Sequence, residues 1–192
     1  MSQTDQAVLH DKLGDYVQDA HTLERAVVKN LDSMRGTLED PILDGLFERH
    51  RKVMRSHVQR LELRLEELGR GSSVRKQLEG LAAELMKSVS DVLRTDASGK
   101  VGRDAYVMGH TQIAAYELLQ RLAVQADDVE TRGLAELHLR QARDFADEVA
   151  AHWDDFLRLT VEEWEVASAD TATTTHGGVE PADEELATHP TV

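Results

Sequence analysis

Four polar residues that could bind a metal ion fall within the apolar stripes of predicted helices: Glu24, His57, Gln112 and Gln141. Apolar residues around each recur about every 3.6 positions, the period of a helix that packs on other helices. Carboxylate and imidazole groups are good ligands for iron, manganese or zinc, whereas the neutral amides of glutamine are poor ones. The pattern leaves two interpretations. One is a metal site with a reduced ligand set at Glu24 and His57. The other, which we favour, is a polar core layer in which His57 and the two glutamine amides hydrogen-bond to the buried carboxylate of Glu24.

Further histidines could add ligands to such a site. If the first and last helices of a four-helix bundle run opposite to the middle two, His21, His57, Tyr116 and His138 lie at similar depth. Three imidazoles beside Glu24 could hold a single zinc, copper or ferrous ion. His50, on the same stripe as His57, is a further possible ligand. An error of one residue in helix phase would turn His21 or His138 outward, so we favour this site less.

The same periodicity defines the helices that position these residues. Asp40 is a suitable N-cap, Pro41 fits the first turn, and Gly69 is a suitable C-terminal stop for one long helix. The other predicted helices have weaker signals at their ends. The stretch TDASGKVG is expected to form a loop before the helix predicted over 103–125. The predicted helices span residues 5–35, 41–69, 72–94 (capped by Ser72 or Ser73), 103–125 and, from Asp127 or Asp128, up to Val166.

The two ends of the chain differ in composition. Residues 1–166 can form a single helical bundle, whereas residues 167–192 are rich in Thr, Ala, Gly, Pro and acidic residues and have little to bury. Such a composition predicts a disordered tail.

The amino-acid composition argues against several classes of function. The chain has 192 residues, 41% of them apolar, and a net charge of -14, which disfavours a nucleic-acid partner because phosphate binding relies on Lys and Arg. The absence of cysteine excludes disulfides, thiolate zinc sites and cysteine nucleophiles. We find no apolar stretch of membrane-spanning length and no signal-peptide pattern, so we expect a cytoplasmic protein without a membrane partner.

The helix lengths and connections predict the architecture. The link 35–40 is short, so the first two helices should form an antiparallel hairpin. A long segment with a short extra helix separates the second and third long helices. The prediction is therefore an all-α, ferritin-like four-helix bundle with an extra short helix in its one crossover.

Several short motifs resemble the YciF-like stress-induced ferritin-like family, a domain of unknown function. They are Glu24 with the following Val27, Val28 and Leu31, the stretch His57-Val58-Gln59-Arg60-Leu61-Glu62, Glu66-Glu67-Leu68-Gly69, and Ile113-Ala114-Ala115-Tyr116 after Asp104-Ala105, together with His50. The resemblance covers about residues 10–160. It implies a ferritin-like fold, an association with stress and a homodimer.

The chain departs from the family pattern where metal ligands are expected. The family typically carries Glu-His-x-Glu where this sequence has Gly109, His110, Thr111 and Gln112. It also carries a Glu-Glu pair where we align Gln141 and Ala142, and a carboxylate near Val53. The resemblance thus implies a degenerate di-metal site.

Two functions follow as hypotheses. The first is a non-catalytic structural or protein-interaction module, with an unidentified protein partner and no assured cofactor. The second is an oxidoreductase or metal-handling protein that binds iron, manganese or zinc through the reduced ligand set. No serine-centred triad or phosphate-binding loop is present in the sequence, and the missing carboxylates favour the first hypothesis.

Overall fold

The computed structural model describes residues 3–71 and 97–175, with side chains over 6–71 and 98–169. Five helices make up nearly all of this part of the chain, and no strand occurs in it. They are α1 (Gln3–Arg35), α2 (Pro41–Glu67), α3 (Ala97–Gln125), α4 (Val129–Ala151) and α5 (Trp153–Thr175). The protein is an all-α, ferritin-like bundle, as the sequence predicts.

Two helical hairpins form the bundle. Helices α1 and α2 pack as one pair and α3 and α4 as the other, with α1 against α3 and α2 against α4. The side chain of Gln6, near the start of α1, donates a hydrogen bond to the carbonyl of Ala126, just past the end of α3. These two helices are therefore antiparallel, so α2 and α3 are parallel and the chain must cross the bundle once between them. The predicted short helix over 72–94, with its caps Ser72 and Ser73, lies outside the described residues.

Helix α2 begins and ends as its sequence predicts. The Asp40 carboxylate accepts hydrogen bonds from the backbone N–H groups of Ile42 and Leu43, with Pro41 in the first turn. Gly69 follows the helix with a φ of 73°, a left-handed conformation that glycine adopts without strain. The long helix that carries His50 and His57 is thus fixed at both ends by local signals.

Two predicted boundaries are wrong. The stretch TDASGKVG was expected to be a loop, but α3 is already helical from Ala97, because its first turns pack against α5. The last helix was expected to be continuous, but it is interrupted at His152. There the His152 imidazole hydrogen-bonds to Asp155 in the first turn of α5. Two acidic residues in that turn, Asp154 and Asp155, are typical of a helix N-terminus and were a signal for this new start.

The C-terminal helix also continues to Thr175, past the expected boundary at Val166. Residues 176–192, which belong to the predicted disordered tail, lie outside the described residues.

The core consists of two apolar clusters separated by a polar layer. One contains Val27, Leu31 and Phe47, and the other contains Leu13 and Leu61. Glu24 on α1, His57 on α2 and Gln112 on α3 are all fully buried and lie in sequence between the two clusters, and α1 also has the buried His21 and Thr22 in this interval. The fold therefore places the predicted polar residues at one depth inside the bundle.

No helix in the described ranges is both long enough and apolar enough to cross a membrane.

Candidate functional site

The buried carboxylate of Glu24 is the centre of the polar layer. Its Oε1 accepts a hydrogen bond from the Tyr116 hydroxyl at 2.5 Å, and its Oε2 accepts one from the Gln112 amide nitrogen at 2.9 Å. Nδ1 of His57 lies 3.1 Å from the same Oε1. Donors from α2 and α3 therefore surround a carboxylate from α1, which offsets the cost of removing it from water.

His57 extends this network to α4. Its Nε2 lies 2.7 Å from the side-chain oxygen of Gln141, so both ring nitrogens of the fully buried imidazole have partners. Burial and the neighbouring Glu24 carboxylate raise the pKa of Tyr116 well above its usual value, so its hydroxyl stays protonated and acts as a donor. All four bundle helices contribute to one connected set of hydrogen bonds.

His138 is buried beside this network but does not join it. Its ring stacks on His57, with 3.5 Å between ring centroids and 15° between planes, and its edge meets Tyr116. Neither of its nitrogens has a hydrogen-bond partner. Burial is the main reason that its pKa falls to about 2, and the nearby His57 and Arg60 lower it further. His138 is therefore a neutral ring whose contacts are those of an aromatic residue.

His50 lies two turns before His57 on α2, on the side of the apolar cluster that contains Phe47. It stacks on Phe145 with 3.5 Å between ring centroids, and its Nε2 lacks a partner. Burial lowers its pKa to about 3, although the nearby Gln112 amide partly opposes this shift. His50 is thus also a neutral, stacked imidazole.

His21 lies on the opposite side of the layer and contacts a different carboxylate. Its Nε2 is 3.1 Å from Oε1 of Glu62, which is half exposed on α2. Burial lowers the pKa of His21, whereas the bond to Glu62 opposes that shift. This pair is separate from the Glu24 network.

The structure groups some of the predicted site residues and separates others. Glu24, His57, Gln112, Gln141 and Tyr116 form one connected network, and His138 touches it through ring contacts. Neither His21 nor His50 makes a hydrogen bond to Glu24. The imidazoles of His57 and His138 are nearly parallel, so their nitrogen lone pairs do not converge on a common point.

Sequence reasoning missed two contacts of this region. The Gln112 amide nitrogen is 2.7 Å from the sulfur of Met54, which the periodicity identified only as a core residue. Glu62 as the partner of His21 was also missed. Asp32 pairs with Arg51 and Glu24 pairs with His57 across the antiparallel hairpin of α1 and α2. An alignment of the two helices in this register places His21 opposite Glu62, so the sequence could have predicted their contact.

The donor set can be compared with the needs of the di-metal centre that the fold suggests. Such centres use several carboxylates, but among the described residues only Glu24 and Asp128 are buried carboxylates. Asp128 caps α4 through the backbone N–H of Thr131 and pairs with Arg64. No cluster of three or more His, Cys, Asp or Glu side chains within the described ranges has a geometry suited to a metal ion. The residues present do not fit a di-metal centre.

A small cavity approaches the layer from the surface between α2 and α4. It has a volume of about 190 Å³, and its inner wall includes His50, Val53, Gln141 and Phe145. An ion pair between Arg49 and Glu148 lies at its rim. Gln141 is therefore the member of the network that borders a cavity open to solvent.

Comparisons with known proteins agree with this architecture. A protein from Xanthomonas campestris pv. campestris matches with a TM-score of 0.68 and 20% identity over 82% of this chain and 98% of its own. The Escherichia coli stress protein YciF matches with a TM-score of 0.63 and 15% identity over 78% of this chain and 97% of its own. YcfI from Rhodopseudomonas palustris has a TM-score of 0.61 and 16% identity over 78% and 98% of the two chains. At these identities the likeness shows the fold.

A search of curated proteins finds no match. A family model described as a domain of unknown function (DUF892) matches residues 8–162, which include every residue of the polar layer. The chain therefore belongs to the DUF892 family.

Proposed function

We propose that this protein is a structural or protein-interaction member of its family, in which a hydrogen-bonded polar layer replaces the di-metal site. One observation carries the proposal: both oxygens of Glu24 accept hydrogen bonds from side chains of the protein itself. A carboxylate that binds a metal ion needs an oxygen lone pair free for the ion. Tyr116, His57 and Gln112 occupy three of the roughly four lone-pair sites of the Glu24 carboxylate.

The identity of the neighbouring side chains supports the same proposal. The Gln112 amide donates a proton towards Glu24, which an ionised glutamate at that position could not do. Val53 and Ala142 supply no ligand atom where the family pattern has carboxylates. With a single carboxylate, the layer carries too little negative charge to balance two divalent ions. In this proposal the layer specifies how the helices align, and the protein is not an enzyme.

The biological setting of the proposal is a stress-associated, cytoplasmic protein. The structural likeness to the Escherichia coli stress protein YciF supports the stress association. The net charge of -14 is compatible with a highly soluble interaction module.

Metal binding by a reduced ligand set is a second candidate function. The observation that favours it is the pair of buried, unpartnered nitrogens on His138, beside His57 and Glu24. The His138 ring would have to turn out of its stack on His57 before both could bind one iron, manganese or zinc ion.

Metal content separates the two functions. We would purify the untagged protein without chelators, expose it to ferrous, manganous and zinc ions, desalt it and measure metal by plasma mass spectrometry. We expect far less than one ion per chain. Near-stoichiometric metal that is lost in both Glu24→Ala and His57→Ala would overturn the proposal and support the second candidate.

A variant that gains ligands makes the test sharper. The double substitution Gln112→Glu and Gln141→Glu restores two carboxylates around Glu24, and we expect it to bind metal that the parent protein does not retain. Gln59→Glu, which adds one carboxylate on the exposed surface of α2, is the control for added charge and should retain none. Equal metal in the parent and the double variant would show that the two amides are not what prevents binding.

A further inference from the structure

The cavity between α2 and α4, which we call the α2–α4 cavity, has in its wall a residue with an unpartnered polar atom. Its volume is about 190 Å³, and His50 is part of its lining. His50 is only 5% exposed, and its Nε2 lacks a hydrogen-bond partner. Buried polar atoms in folded proteins almost always have a partner in the protein or in ordered water, so an exception requires an explanation. A ligand that fills the cavity could supply this partner.

Most of the other polar groups of the α2–α4 cavity can accept hydrogen bonds. Asp144 and Glu148 of α4 contribute carboxylates. The side-chain oxygen of Gln141 lies 2.7 Å from Nε2 of His57, and an amide oxygen has a second lone pair for another donor. Arg49 is the only charged donor in the lining, and its guanidinium pairs with Glu148. The cavity therefore suits a ligand that carries hydrogen-bond donors.

The charge of the lining favours a cation. Because Arg49 offsets the Glu148 carboxylate, the carboxylate of Asp144 is left uncompensated. Within residues 6–71 and 98–169, Asp144 forms no hydrogen bond or ion pair. The pKa of His50, which burial lowers to about 3, keeps this imidazole neutral at pH 7, so it adds no positive charge. An anionic ligand would be repelled by Asp144, whereas a cation would be attracted.

The size and the apolar walls of the α2–α4 cavity restrict the cation to a small organic one. The volume of about 190 Å³ equals that of about six water molecules at roughly 30 Å³ each. Val53 and Phe145 form the apolar part of the lining. A metal ion has no apolar part for these side chains, and no group of three potential ligands in the described ranges is arranged to hold one. A primary ammonium group on a short alkyl chain combines three N–H donors, a positive charge and an apolar body.

We propose that the α2–α4 cavity binds a small primary alkylammonium ion. The ammonium group donates hydrogen bonds to His50 and Gln141 and lies close to the Asp144 carboxylate, while the alkyl chain packs against Val53 and Phe145. The proposal goes beyond the structural or interaction role because it assigns a small-molecule ligand to the protein. It needs no metal ion, so its test and the measurement of metal content can fail separately.

A nuclear magnetic resonance titration of the full chain with propylammonium tests the proposal. We expect saturable shifts of backbone amide signals confined to the α2 and α4 residues around the cavity, with a dissociation constant on the order of 1 mM for so small a ligand. Butyrate has a similar size and the opposite charge, and tetramethylammonium is a cation without N–H donors. Neither should produce these shifts at the same concentration, because each lacks one of the two features that the lining recognises.

Three substitutions separate this site from a general attraction of cations to an acidic protein. Asp144→Asn and His50→Phe should each raise the dissociation constant for propylammonium by about tenfold, the effect of losing one charged or hydrogen-bonding contact. The phenyl ring of His50→Phe keeps the stack on Phe145. Asp147→Asn removes the same charge from an exposed position of α4 outside the lining, so it should leave the dissociation constant unchanged. Far-UV circular dichroism checks that each variant is folded, and Asp144→Asn, at an exposed position, tests the site even if His50→Phe does not fold.

Several results would each overturn the proposal. They are the absence of saturable shifts at concentrations far above the expected dissociation constant, shifts confined to residues away from the cavity, and equally strong binding of tetramethylammonium. Equal effects of Asp144→Asn and Asp147→Asn, or unchanged affinity in a folded His50→Phe variant, would also contradict it.

Discussion

Glu24 illustrates how strongly one residue can depend on its neighbours. Its carboxylate is fully buried, and its hydrogen-bond donors come from Tyr116, Gln112 and His57. Removing one member of such a network leaves the others unsatisfied, which costs more than the loss of a single hydrogen bond.

We therefore expect Glu24→Ala to lower the free energy of unfolding by about 3–5 kcal/mol, because three buried polar groups lose their acceptor. Tyr116→Phe removes one donor and keeps the ring, so it should cost only about 1–2 kcal/mol. Urea denaturation followed by circular dichroism measures both values. If both substitutions cost the same, the carboxylate is not the centre of the network.

Replacing His138 should not lower the free energy of unfolding, in contrast to replacing Glu24 or Tyr116. His138 contributes ring packing but no hydrogen bond, and two of its polar atoms are buried without partners. His138→Phe keeps a stacked ring and removes those atoms, so we expect the free energy of unfolding at neutral pH to stay the same or rise by about 1 kcal/mol. A clear loss of stability in urea would show that His138 makes polar contacts that matter.

The buried histidines also predict a dependence on pH. Burial lowers the pKa of His138 to about 2 and that of His50 to about 3, and it lowers the pKa of His21 as well. The unfolded chain takes up protons on these groups near pH 6.5, whereas the folded chain does not. These neutral histidines therefore contribute fully to the free energy of unfolding above about pH 6.5, and this contribution is lost as the pH falls below that value.

At about pH 5, we expect His138 and His50 each to reduce the free energy of unfolding by up to roughly 2 kcal/mol relative to neutral pH. Urea denaturation across this range measures the slope, and His138→Phe should reduce it. The same slope in that variant would mean that His138 is protonated in the folded protein.

Among the helices, the packing of α5 on α3 depends on a close approach. A Cβ atom on Gly102 would lie 2.7 Å from the Phe156 ring, and Phe156 is a buried member of the core. This contact explains why a helix interior contains glycine despite its low helix propensity. The contact between Gly102 and Phe156 is also part of the packing of α5 on the first turns of α3, which makes the residues before Arg103 helical.

Gly102→Ala should therefore destabilise the protein by about 1–3 kcal/mol, because Phe156 must move. Gly133 is the matched control on α4, where a Cβ would meet nothing within 4 Å. Gly133→Ala should stabilise by about 0.5–1 kcal/mol through helix propensity alone. Thermal melts of the two variants should shift in opposite directions, and a shift in the same direction would contradict this account of the α3–α5 contact.

At the scale of the whole molecule, the polar layer divides the core into two apolar clusters. The same helices run through both clusters, and the hydrogen bonds around Glu24 connect α1, α2 and α3 at the boundary. Long helices shared by two clusters should couple their unfolding.

We expect one cooperative transition. The only tryptophans, Trp153 and Trp164, lie on α5, and the ring of Trp153 is 6.1 Å from that of Phe156 in one of the clusters, so their fluorescence reports on that end of the bundle. Far-UV circular dichroism reports on all the helices. The two urea curves should coincide, and separate midpoints would show that the two clusters unfold independently.

Much of the fold could be predicted from the sequence, because its signals are local. Helical periodicity identified the inward faces of α1 and α2, and Asp40, Pro41 and Gly69 defined the ends of α2. The same periodicity placed Glu24, His57 and Gln112 inside the bundle, where the structure buries them. Backbone hydrogen bonding and the burial of apolar side chains within a helix depend mainly on nearby residues, so these features follow from short stretches of sequence.

Only the tertiary structure decided which polar groups meet and in which orientation. Periodicity indicated that His57 faces inward and left the direction of His138 open, and it could not show that the two rings stack nearly in parallel and so do not converge on one ion. Nor could it show that His21 contacts Glu62 or that α3 begins at Ala97 against α5. These outcomes depend on the relative rotation and register of helices far apart in the chain, which are set by packing in three dimensions.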